Sequence, residues 1–157
     1  MAVMTKQPSD SALDRPRPLD DFLCFSVYSA GLAFTRVYKP LLDRFGITYP
    51  QYLVMLALDE ADDRTVSEIG SRLFLESNTL TPLIKRLESA GLATRVRDKA
   101  DERVVRVSLT PKGRELVDEA LSCVPASTLT ATGLTEEELA ELNGAMLALG
   151  RALRAST

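Results

Sequence analysis

Three features of the 157-residue sequence predict a mainly α-helical fold with a winged helix-turn-helix at its centre. Apolar residues recur at intervals of three and four along most of the chain, the period of amphipathic helices. Two short helical stretches, "VSEIGSRL" and "SNTLTPLIKRLESAGL", are separated only by "FLE", the tight connection of a helix-turn-helix. Directly behind them, "LATRVRDKADERVVRVSLT" carries alternating apolar and polar residues beside a charged centre, as a two-stranded ribbon does.

Each element follows in order. The opening "MAVMTKQPSDSALDRPRPLD" is polar and proline-containing and lacks the apolar core of a signal peptide, so residues 1–18 are expected to form a flexible arm. Residues 19–157 are expected to be one domain. Residues 19–45 read as one long helix, with Leu23, Val27, Ala30, Phe34, Val37, Leu41 and Phe45 at helical spacing, Pro40 as a kink or early end, and Gly46 as a stop. Thr48 caps a second helix that has Pro50 in its first turn. "DEADDR" ends it. Thr65 and Glu68 form a capping box for the third helix. Ser77 is the natural cap of the fourth, whose stripe is Leu80, Leu83, Ile84 and Leu87 and whose stop is Gly91. After the ribbon, Thr110 and Pro111 start a fifth helix that Pro125 should interrupt or bend. Thr135 and Glu138 form a capping box for the last.

Composition narrows the function. There is no histidine, which removes Ser-His and Cys-His catalytic pairs. Two cysteines far apart in sequence cannot build a cysteine-histidine zinc site, and no phosphate-binding glycine loop is present, so no metal or cofactor is expected. No apolar run approaches the ~20 residues of a membrane span, and a cytoplasmic protein is expected. Net charge is −3 overall, yet residues 72–114 carry ten basic and five acidic side chains between acidic flanks. Such a basic middle either binds phosphate or simply solvates exposed faces.

In a helix-turn-helix the second helix enters the major groove N-terminus first. Here that end bears Ser77, Asn78, Thr79 and Thr81, short hydrogen-bonding residues without bulk, followed by Lys85 and Arg86 within reach of phosphates. The ribbon tip supplies Arg97, Lys99 and Arg103, and Asp101 lies where it can orient Arg103 through a charge-assisted pair for entry into a minor groove. A capped surface helix and a solvated hairpin tip are the alternatives.

Read together, "VSEIGSRL", "SNTLTPLIKRLESAGL" and "DERVVRVSLTPKG" resemble the MarR family of dimeric bacterial repressors, over roughly residues 19–153. Within it, "LCFSVYSA", "VYKPLLDRFGITYPQYL" and "LESNTLTPLIKRLE" resemble the branch that senses organic hydroperoxides, OhrR. The resemblance implies a homodimer on an inverted-repeat operator in double-stranded DNA, with a DNA-binding part at about 48–110 and dimerisation through 19–46 and 111–155. It implies that Cys24 is oxidised by an organic hydroperoxide, which releases the operator. Tyr38 and Tyr49 of the partner subunit would hydrogen-bond its sulfur, and Tyr28 matches a third tyrosine near the site. Phenolic donors favour a thiolate, which is the reactive form. It also offers Cys123 as a resolving cysteine that closes an intersubunit disulfide. Otherwise Cys24 fills a dimer core and Cys123 is structural. Two other functions stay open: a MarR repressor answering a small aromatic ligand, and a thiol peroxidase. No enzyme is the expectation, because the basic winged segment has no role in a peroxidase.

Overall fold

A computed structural model describes residues 18–156. The expected arm therefore lies, apart from Pro18, outside the described residues. The chain forms two compact units, one ending at Phe34 and one beginning at Thr35.

A 3-10 turn at Leu19–Asp21 precedes α1 (Leu23–Asp43). The expected single helix from 19 is thus broken at Phe22, whose backbone is extended with φ −97° and ψ 117°. Pro40 does not end α1, which continues one further turn before Gly46 reverses the chain at φ +69°. In the first unit Leu23, Val27, Tyr28 and Leu32 are all exposed.

The second unit is built around α2 (Tyr49–Glu60). Thr48 caps it in a capping box with Gln51, and Val54, Met55 and Leu58 are wholly buried. They pack in one core with Ile69 of α3 (Val66–Leu73), Leu80, Ile84 and Leu87 of α4 (Ser77–Ser89) and Val107 of the sheet. Burying each such side chain stabilises the fold by about 1.5–3 kcal/mol before conformational entropy is counted.

The α3–α4 turn is tight. Phe74 takes a left-handed conformation at φ 57°, and Leu75 N–H donates back to the Gly70 carbonyl at 3.0 Å. A Cβ on Gly70 would stand 2.7 Å from the Leu75 carbonyl oxygen, so only glycine lets the turn close. This compactness moves the start of α4. Glu76, not Ser77, is its N-cap, and no side chain caps it. The Glu76 carbonyl accepts from Thr79 and Leu80 N–H, so Ser77 is already helical.

The wing differs from a two-stranded ribbon. β2 (Ala93–Arg97) and β3 (Val105–Leu109) pair antiparallel with Val96 opposite Arg106, but β1 (Arg64–Thr65) adds a third strand on the other side of β3. Two residues are too few to show alternation, and Thr65 serves also as the cap of α3. α5 (Pro111–Thr132) runs without interruption through Pro125, contrary to the expected break. Buried Val124 and Thr128 flank that position, so packing outweighs the missing N–H. α6 (Glu136–Ala155) starts at the Thr135–Glu138 capping box and buries no residue within the chain.

Candidate functional site

α4 presents one apolar face to the core and one polar face outward. Ser77, Asn78, Thr79, Lys85 and Arg86 are exposed, and Thr81 is half-buried. Thr79 Oγ1 lies 3.4 Å from Asn78 Oδ1, so the two side chains share one patch at the helix start. Pro82, which the sequence reading passed over, lies inside α4 and has no N–H for the Asn78 carbonyl four residues earlier.

The wing tip adds cations. Arg103 grips Asp101 with two bonds, Nε to Oδ1 at 3.1 Å and Nη2 to Oδ2 at 3.2 Å, while its side chain stays 90% exposed. The expected Asp101–Arg103 pair therefore forms, and the Arg103 hydrogen bonds hold the Asp101 carboxyl below its ordinary value. Arg97 Nη1 donates to the Glu102 carbonyl at 3.3 Å across the loop, and Lys99 is exposed beside it.

Cys24 is exposed in the first turn of α1, and Tyr28 follows one turn later on the same unit. Tyr38 and Tyr49 belong to the other unit and stand edge to face, ring centres 5.0 Å apart. Tyr52 joins them, its ring centre 6.3 Å from that of Tyr38. It is a member the sequence reading missed, although its place three residues after Tyr49 puts it on the same helix face. Burial, then the neighbouring Tyr38, raises the hydroxyl pKa of Tyr49. Burial raises that of Tyr52 as well, followed by Tyr38, Cys123 and Tyr49. Half-buried Cys123 thus borders the tyrosine cluster, and its Sγ lies 3.6 Å from the Ala120 carbonyl. The three rings open on a cavity of about 310 Å³ whose other walls include Leu121, Val124 and Leu139. It offers an apolar lining edged by phenols. Among the described residues no group of side chains has the makings of a metal site.

A polar recognition helix beside a cationic wing defines the class: a winged helix-turn-helix DNA-binding regulator. Residues 36–120 match the family described as transcriptional regulator SarA/Rot. The chain is 51% identical over 130 residues to the HTH-type transcriptional regulator TtmR of Methylorubrum extorquens, covering 83% of this chain and 66% of that relative's length. It is 44% identical over 131 residues to the organic hydroperoxide resistance transcriptional regulator of Bacillus subtilis, covering 83% and 88%. Among solved structures, reduced AbfR bound to DNA superposes with a TM-score of 0.75 at 36% identity, covering 87% of this chain and 93% of that one. AbfR, from Staphylococcus epidermidis, has also been solved overoxidised on DNA and in a disulfide-formed state. The chain belongs to the MarR/SarA family of transcriptional regulators.

Proposed function

We propose that this regulator is a homodimeric, cytoplasmic repressor whose hold on an inverted-repeat operator is released when an organic hydroperoxide oxidises Cys24. The observation that carries this reading is the edge-to-face Tyr38–Tyr49 pair at the mouth of an apolar cavity. An alkyl or aryl peroxide has an apolar body and a polar O–O end, and that combination of surfaces suits both. The names borne by the Bacillus relative and by the AbfR states support the same chemistry. The dimer rests on exposed apolar residues: Leu23 and Val27 on α1, and Leu142, Met146 and Leu147 on α6. Residues 19–46 and 111–155 would pair with a second copy, leaving 48–110 to read DNA.

The chemistry balances. The Cys24 thiolate attacks the terminal peroxide oxygen, the O–O bond breaks, and the alkoxide leaves as alcohol after taking a proton, so Cys24 becomes a sulfenic acid. Tyr38 and Tyr49 of the partner subunit would donate hydrogen bonds to the anionic sulfur, with Tyr28 beside it. Condensation with the partner's Cys123 thiol would then expel water and form a disulfide. Ser77, Asn78, Thr79 and Thr81 would meet base edges and phosphates, Lys85, Arg86, Arg97 and Lys99 phosphates, and Arg103, oriented by Asp101, a minor groove.

The test is binding of the purified reduced protein to a duplex it enriches from a random-sequence pool, with and without cumene hydroperoxide. Release by the hydroperoxide and recovery with thiol reductant are expected. Release that persists in Cys24→Ser would sink the reading. The protein is proposed as a sensor rather than a catalyst, so under steady reductant it should show little continuing flux of hydroperoxide consumption.

A further inference from the structure

Arg106 is one of the ten basic residues of the central segment, yet it is turned inward to carboxylates rather than outward. Its Nε donates to Asp98 Oδ2 at 2.6 Å. Its Nη1 donates to the Asp63 backbone carbonyl at 2.8 Å and lies 3.6 Å from Asp63 Oδ2. One guanidinium therefore links β3, the start of the wing-tip loop and the turn between α2 and β1. That turn is itself unusual, because Asp63 has a φ of 52°, a left-handed conformation uncommon for a residue with a side chain.

Asp98 is committed twice more. Its Oδ1 accepts from Ala100 N–H at 2.8 Å, and its own N–H donates to the Val104 carbonyl at 2.8 Å. These bonds close the loop that carries Asp101 and Arg103. A continuous polar path thus runs from Asp63 through Arg106 and Asp98 to the segment that presents Arg103. Neighbouring Asp62 fastens the base of the same strand, accepting from Leu109 N–H at 3.0 Å and pairing with Arg114.

We propose that Arg106 is a positioning residue for DNA binding: by bridging Asp63 and Asp98 it fixes the wing-tip loop in the orientation from which Arg103 reaches the duplex. The inference rests on the reading of Arg103 as a DNA contact. Two physical points favour positioning over direct contact. Facing two carboxylates, Arg106 adds no net attraction for phosphate. Half-exposed ion pairs also contribute little to fold stability, so the use of this one lies in orientation. A loop already ordered does not pay its ordering entropy when it binds.

The experiment is a double-mutant cycle on the pool-enriched duplex, using the reduced full-length protein and measuring affinity across a salt series. Arg103→Ala is expected to weaken binding about tenfold and to reduce the salt slope by about one per subunit. Arg106→Gln should weaken it in the same direction and lower the slope likewise, and the double variant should be no weaker than Arg103→Ala alone. Additive losses would mean that Arg106 touches DNA itself and would overturn the inference. Asp98→Ala provides a contrast of sign. Removing an acidic charge near DNA tightens binding on charge alone, whereas loss of positioning weakens it, so tighter binding by Asp98→Ala also overturns the inference. Thermal melting of each variant checks that the fold is retained. If Arg103→Ala leaves affinity and slope unchanged, the wing-tip reading and this inference fall together. If Arg103→Ala weakens binding and the cycle is additive, only the inference falls.

Discussion

Cys24 and the tyrosines carry the predictions at the scale of single residues. Cys24→Ser should bind DNA as the unmodified protein does and lose the response to organic hydroperoxide, because a serine hydroxyl cannot form a sulfenic acid. Tyr38→Phe or Tyr49→Phe should leave DNA affinity intact and slow the oxidation of Cys24 by about tenfold, the worth of one hydrogen bond to an anion. Stopped-flow release of labelled duplex measures both. Cys123→Ser should abolish the covalent dimer that hydroperoxide produces on a non-reducing gel; a dimer band of unchanged intensity would leave Cys123 as a core residue. The roles proposed for Cys24, Tyr38 and Tyr49 come only through resemblance, since nothing local distinguishes a sensor thiol from a core one. Tyr52 had only its i, i+3 spacing from Tyr49 to mark it. An aromatic on a buried helix face reads as core, and only packing brings its ring beside Tyr38.

At the scale of elements, local chemistry was read well and chain-distant pairing was not. The Thr65–Glu68 box forms with both bonds, Thr65 N–H to Glu68 at 2.7 Å and Glu68 N–H to Thr65 Oγ1 at 3.1 Å, because everything it needs lies within four residues. Thr65→Ala should cost about 1 kcal/mol in a denaturant melt. The bonds from Thr65 also hold the Glu68 carboxyl below its ordinary value of 4.5. A depressed folded value means that this contribution is fully present above the unfolded value and fades as the pH falls through the folded one. The stability gap between the protein and Glu68→Gln should therefore close on acidification below about pH 4. By contrast β1 escaped notice because its partner on β3 lies more than forty residues away. At the two prolines it was the break, one of the two outcomes expected there, that did not occur. Pro40 and Pro125 each forbid one helical bond, a local argument for a break, but both helices run on because buried neighbours hold the next turn. Gly70→Ala should destabilise by about 1–3 kcal/mol, since a methyl group 2.7 Å from the Leu75 carbonyl forces the α3–α4 turn apart. It should weaken DNA binding along with stability.

For the whole molecule, the exposed apolar residues of α1 and α6 call for a second copy, and sedimentation should give twice the 17.2 kDa chain mass at micromolar concentration. Leu23→Glu together with Met146→Glu should shift it toward monomer and reduce operator affinity, because a single recognition helix reads only one half-site. The fold class was legible from periodicity, since a winged helix is assembled from contiguous segments. The homodimer expectation came only from the family resemblance, because a face that is covered only by another chain has the same pattern as one covered within its own. The unbroken α5 has a mechanical consequence. It springs from the base of the wing at Pro111 and continues for 22 residues, so at 1.5 Å per residue it is a rod of about 33 Å. Cys123 lies just past its midpoint. A disulfide that pulled on that sulfur would tilt the whole helix wherever α5 moves as one piece. A lever of this length tilted by about 5° sweeps its far end through about 3 Å, roughly the length of the hydrogen bonds by which a wing would hold a duplex.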